Sequence, residues 1–87
     1  MKLKYEFEKV EMDDQIMAVP VGEEGGKLHA MLRLNETASF ILDLLREETT
    51  EEKVLEAVLK EYEGDENEIK AYISEFIAQL RENEVLA

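Results

Sequence analysis

The sequence predicts an α+β chain of winged helix-turn-helix-like order, a three-stranded antiparallel β-meander followed by three α-helices, and three observations predict it. Leu28, Ala30, Leu32 and Leu34 alternate with His29, Met31 and Arg33, and the alternation stops at Asn35, a residue suited to cap a helix, so a strand runs directly into a helix. Everything after Asn35 follows a helical period broken by cap signals. Everything before it alternates, or forms a short apolar run, between the turn signals Asp13-Asp14 and Gly22-Glu23-Glu24-Gly25-Gly26. At 87 residues the chain has room for one core, and a single domain over residues 1–87 is expected.

The first strand, about residues 3–10, carries Leu3, Tyr5 and Phe7 on one face and Lys2, Lys4, Glu6 and Glu8 on the other. The apolar parity then shifts to Val10 and Met12, which predicts a bulge near Lys9. Residues 15–21 include the nearly unbroken apolar run Ile16–Val21, expected to be the central and most buried strand. Pro20 cannot donate to a ladder and belongs at an open edge, a bulge or the strand end. The third strand spans about residues 27–34 after a glycine-rich hairpin loop.

The first helix, about 36–47, presents Ala38, Ile41, Leu42 and Leu45 on one face, widened by Phe40 and Leu44. The second, about 50–63, opens on a capping box in which Thr49 and Glu52 exchange bonds, buries Val54, Leu55, Val58, Leu59 and Tyr62, and is closed by Gly64. The third, about 66–83, takes Asp65 as its cap and buries Ile69, Tyr72, Ile73, Phe76, Ile77 and Leu80. Val85-Leu86 is placed to fold back on the sheet or core.

Composition restricts function. The chain has no cysteine, so neither disulfides nor thiolate metal sites hold it, and a reduced cytoplasmic setting is expected. Its apolar runs are a few residues long, against the roughly 20 that cross a bilayer, and its lysine- and glutamate-rich start lacks the apolar centre of a signal peptide; no membrane partner is expected. Ten of the twelve excess negative charges lie in residues 35–87. Such a surface repels the phosphate rows of nucleic acid, whose binding draws on Lys and Arg.

The residues of chemistry do not assemble. His29 is the only histidine, Ser39 and Ser74 sit in helices without nucleophile-elbow glycines, and GEEGG lacks the Lys-Ser/Thr of a phosphate loop. Asp65-Glu66-Asn67-Glu68-Ile69 has an apolar residue where a calcium loop needs oxygen, and is better read as a helix cap. The paired acids Asp13-Asp14, Glu23-Glu24, Glu47-Glu48 and Glu51-Glu52 sit at turns and helix starts, where nothing raises a carboxyl pKa for acid catalysis. No enzyme activity, metal or cofactor is expected.

The run Met31-x-Arg33-Leu34-Asn35-Glu36-Thr37-Ala38, with Ile41-x-x-Leu44-Leu45, Thr50-Glu51-Glu52, Tyr62, Phe76-Ile77-x-x-Leu80 and Val85-Leu86, resembles the pyrroloquinoline quinone biosynthesis protein D (PqqD-like) family over about residues 14–87. Glu84 departs from the pattern, standing where the family commonly has glycine. The resemblance implies a peptide chaperone, or RiPP recognition element. Such a protein holds the leader of a ribosomally made precursor peptide as an extra strand beside the third strand, in the groove between it and the third helix, and presents it to a modifying enzyme, often a radical SAM protein, in cofactor biosynthesis. An unpaired third strand is a template for such addition. The candidate peptide-binding residues are then Leu28, His29, Ala30, Met31, Leu32 and Arg33 of the edge, with Lys70, Ile73 and Ile77 on the third helix. Periodicity alone also fits Ile73 and Ile77 as core and Lys70 as a solvated charge. Arg33 and Lys70 suit an acidic leader, whereas the acidic helical half suits a basic one.

Two other classes share the element order. A protein-only adaptor or subunit would dock to an enzyme without binding peptide. A DNA-binding winged helix would need groove-facing cations, and the third helix offers Lys70, Gln79 and Arg81 among Glu66, Glu68, Glu75 and Glu82. The oligomeric state does not follow from the sequence.

Overall fold

A computed structural model describes residues 1–21 and 32–87. Strands β1 (Glu6–Met12), β2 (Gln15–Val21) and β3 (Leu32–Leu34) form one antiparallel sheet in the order β1-β2-β3. Helices α1 (Glu36–Leu44), α2 (Glu51–Glu61) and α3 (Glu66–Glu82) follow. The expected strand at 27–34 is described only at its last three residues; positions 27–31 and the loop before them lie outside the described residues. Each helix ends one to three residues short of its expected end, and β1 lies two to three residues later than expected.

The β1–β2 register is continuous from Glu6↔Val21 to Met12↔Gln15, so the expected bulge near Lys9 is absent from this pair. Uninterrupted alternation fixes the faces. Phe7, Lys9 and Glu11 lie on the inner face, opposite Pro20, Ala18 and Ile16, and Val10 and Met12 lie on the outer one. Val10 is 40% exposed and Met12 61%, which corrects their expected inward placement. Lys9 is accommodated on the inner side because its ammonium reaches past the sheet to the Ser39 carbonyl, at 3.1 Å, and to Asp43 Oδ2. β2 is central as expected, but only Ala18 of its residues is fully buried, since all described helices pack on one side of the sheet. Pro20 is the penultimate residue of β2, near the strand end. Asp13 makes the β1–β2 turn with φ 51°, a left-handed conformation that aspartate tolerates better than most side chains.

The core lies between the inner sheet face and the three helices. It comprises Leu3, Phe7, Ala18 and Leu34 below, and Ala38, Ile41, Leu42, Leu45, Val54, Val58, Ile73, Ile77 and Leu80 above. Val85 and Leu86 close it from the end: Leu86 bridges Leu3, and Lys4 N–H donates to the Val85 carbonyl at 2.8 Å. The ring of Phe40 meets that of Tyr62 edge-on at 5.7 Å, tying the end of α2 to α1.

The caps explain where helices begin. Asn35 Oδ1 accepts from Ala38 N–H at 2.8 Å, and Asp65 Oδ1 accepts from Asn67 and Glu68 N–H, as their positions before apolar periodic runs predict. The cap of α2 is Thr50, whose hydroxyl accepts from Lys53 N–H, one residue beyond the expected Thr49. α2 ends on Tyr62 in an extended conformation rather than through a left-handed Gly64. Gly64 serves close approach instead: a Cβ there would stand 3.2 Å from Ile69 Cδ1.

Candidate peptide-binding groove

β3 carries the site because of where the register leaves it. Ile16, Met17 and Ala18 of β2 pair with Leu34, Arg33 and Leu32, and among the described residues nothing pairs with the opposite side of β3. Among the described residues the backbone N–H and C=O groups on that side thus form a sheet edge, the kind of template to which another extended segment adds. Leu34 is buried on the inner face and Leu32 half-buried, which anchors the strand; Arg33, opposite Met17, shares the outer face and is exposed.

α3 supplies the wall, and its amphipathic pattern is double. Ile73, Ile77 and Leu80, spaced i, i+4, i+7, form the buried stripe. Tyr72, Phe76 and Gln79 repeat that spacing one residue earlier, about 100° around the helix. This second stripe overhangs the core and borders a cavity of about 240 Å³ whose other lining residues are Arg33, Asn35, Ala38 and Glu75. Its wall is thus aromatic and amide-bearing, its floor is the small Ala38, and its charged members are Arg33 from the strand and Glu75 from the helix.

Tyr72 is 37% exposed, against its expected burial, because its hydroxyl reaches outward to Asn35 Oδ1 at 3.2 Å. That oxygen also caps α1, so groove wall and strand–helix junction share one acceptor. Arg33 takes part in no ion pair among the described residues.

The other expected site residues fall elsewhere. Leu28, His29, Ala30 and Met31 lie outside the described residues. Lys70 and Ile73 line a small crevice with Glu51, Glu52 and Leu55, on the α2 side of α3, and Ile77 borders the opening near Met1, Thr49 and Arg81. Ile73 and Ile77 are core side chains, 0% and 3% exposed. Of the residues expected on α3, none borders the cavity beside β3; Tyr72, Phe76 and Gln79 do. Their signal in the sequence is the second i, i+4, i+7 series beside the first.

Among the described residues, no group of three or more His, Asp or Glu is arranged to hold a metal ion, and no helix is long and apolar enough to cross a membrane.

The solved complex of TbiB1 with the TbiA(beta) leader peptide contains a chain similar to this one, with a TM-score of 0.71 and 23% identity over 99% of this chain and 94% of that one. A lasso peptide synthetase B1 complexed with its leader peptide is similar at a TM-score of 0.66, again with 23% identity, over 97% and 93%. These likenesses establish a shared fold. No curated protein matches the sequence. The family model for coenzyme PQQ synthesis protein D matches residues 18–86, which include Ala18–Val21 of β2, the described part of β3, all three helices and the terminal Val85-Leu86. The chain belongs to the PqqD family.

Proposed function

We propose that this chain is a non-catalytic, cytoplasmic peptide chaperone. It captures the leader of a ribosomally synthesised precursor by strand addition to β3 and presents that precursor to a modifying enzyme such as a radical SAM protein. One observation carries the reading: the open edge of β3 lies beside a cavity walled by Tyr72, Phe76 and Gln79, so an added strand meets backbone partners on one flank and side-chain seats on the other. Both similar solved structures hold leader peptides, which supports the same use of this fold here. We assign Leu32 and Arg33 to the edge, and Tyr72, Phe76 and Gln79 to the wall in place of Lys70, Ile73 and Ile77.

The magnitudes suit a reversible carrier. About five added backbone hydrogen bonds at ~0.5–1.5 kcal/mol each, with one or two apolar anchors at ~1.5–3 kcal/mol, are partly offset by ordering the free peptide. The remainder is about −8 kcal/mol, a Kd of about 1 µM.

The test is a titration of ¹⁵N-labelled protein with a synthetic leader taken from a short precursor encoded beside the gene for this chain. Expected are shifts of the Leu32–Leu34, Tyr72, Phe76 and Gln79 amides. Shifts confined to α2, or none at concentrations well above the expected Kd, overturn the reading.

A further inference from the structure

Resting on the strand-capture reading, we propose that the groove sorts its peptide by charge on alternate residues: the leader carries an acidic side chain opposite Arg33, flanked on both sides by apolar or basic side chains. Register fixes which face each side chain takes. Ala18↔Leu32 and Ile16↔Leu34 are inner-face pairs, with Ala18 and Leu34 buried, whereas Met17↔Arg33 continues the outer face that Val10 opens opposite Met17. A strand added to β3 obeys the same alternation. Its residue opposite Arg33 points to the outer face, and the residues before and after it point inward, toward α3.

The two faces present different side chains to an added strand. On the outer face Arg33 stands beside Met17 and, beyond it, Val10, neither of which neutralises it, and it makes no ion pair among the described residues. A directly opposed carboxylate lies within Cβ–Cβ reach of about 5 Å. On the inner side the cavity presents Phe76 and Ala38, which favour an apolar side chain, and Glu75, which repels a carboxylate and suits an ammonium or guanidinium. A lysine or arginine there can lay its methylenes on Phe76 while its head reaches Glu75. Arg33 also borders that cavity, from the strand, and among the described residues neither it nor Glu75 forms an ion pair. Lys70 takes no part, being placed with Glu51 and Glu52 on the far side of α3. A leader is therefore chosen by where its charges fall relative to the strand pleat, whatever its net charge.

The experiment is selection from an mRNA-displayed library of random peptides on immobilised wild-type protein, Arg33→Glu and Glu75→Lys. Both residues are exposed, and native amide spectra confirm that the variants fold. Selected peptides are first mapped by amide shifts. Among those that bind at β3, the wild type enriches Asp or Glu at one position between two that exclude them. R33E inverts the preference at that central position to Lys or Arg, and E75K admits acids at the flanking ones. For one fixed peptide, replacing the central acid by lysine weakens wild-type binding about two- to fivefold at low salt, the range for a single cross-strand charge pair, and the difference shrinks at high salt. Peptides that bind at β3 without positional charge preference, or an unchanged profile for R33E, overturn the charge proposal and leave strand capture standing. A library yielding no binder at β3 overturns both.

Discussion

The Tyr72 hydroxyl and the Ala38 amide share Asn35 Oδ1, at 3.2 and 2.8 Å, so the residue that starts α1 also holds the aromatic lip of the groove. Asn35→Ala should lower stability by about 1 kcal/mol through loss of the cap, and should also weaken leader binding by releasing Tyr72. Tyr72→Phe keeps the cap and loses an exposed hydrogen bond alone, so urea denaturation should place it within about 0.5 kcal/mol of wild type. Equal losses of stability in the two variants would show that the shared oxygen does not couple groove and junction.

Asp43 joins sheet to helix. Partial burial pushes its carboxyl upward, but hydrogen bonds from Lys9 and Arg46, together with their charges, outweigh this and hold it below its ordinary value of 3.8. A carboxyl depressed in the folded state contributes stability that is present above the unfolded pKa and is lost as pH falls through the folded one. Asp43→Asn should therefore cost about 0.5–1 kcal/mol at neutral pH, the discounted worth of a half-exposed pair. The gap from wild type should start to close below pH 3.8 and vanish in stronger acid, as followed by denaturant titrations across that window. A gap independent of pH would assign the loss to packing.

Glu84 has φ 59°, a conformation that glycine adopts freely. The reason is the end of α3: Glu84 N–H donates to the Arg81 carbonyl and Val85 N–H to that of Leu80, both at 3.0 Å, the paired bonds of a Schellman turn that drives Val85 into the core. Glu84→Gly should raise stability by about 1 kcal/mol, the order of the left-handed penalty it removes, and Glu84→Val should lower it. Thermal melts of the two variants check the sign.

Local chemistry made much of this fold legible in the sequence. Asn35 and Asp65 are caps because their side chains reach amides two or three residues on, a property of the short segment itself. The buried stripes of all three helices and the return of Val85-Leu86 follow from periodicity and from the cost of leaving them in water. What failed depended on partners distant in sequence. Val10 and Met12 are apolar, yet face outward, because the register with β2 overrides their hydropathy. Thr49 and Thr50 offer the same cap chemistry one residue apart; Thr50 takes the cap, while the Thr49 backbone exchanges hydrogen bonds with Met1, 48 residues away. In the site, the strand–helix junction announced β3, but the flank of α3 beside it did not follow. Tyr72 and Phe76 read as core, as Ile73 and Ile77 do, and only the tertiary arrangement separates the overhanging stripe from the buried one.

That separation gives a test by substitution. Ile73 is fully buried in the core cluster, so Ile73→Ala should cost about 2–5 kcal/mol, a large share of the stability of so small a domain, and should weaken leader binding only as far as it unfolds the protein. Phe76 is half-buried at the cavity wall, where truncation removes less core contact. Phe76→Ala should cost noticeably less stability than Ile73→Ala while reducing leader affinity about tenfold or more, the loss expected of one apolar anchor worth ~1.5–3 kcal/mol. Denaturant midpoints and calorimetric Kd values for both variants separate the two effects, because binding is corrected for the folded fraction measured at the same temperature. If Phe76→Ala bound the leader as tightly as wild type, the cavity beside β3 would lose its role as the anchor seat.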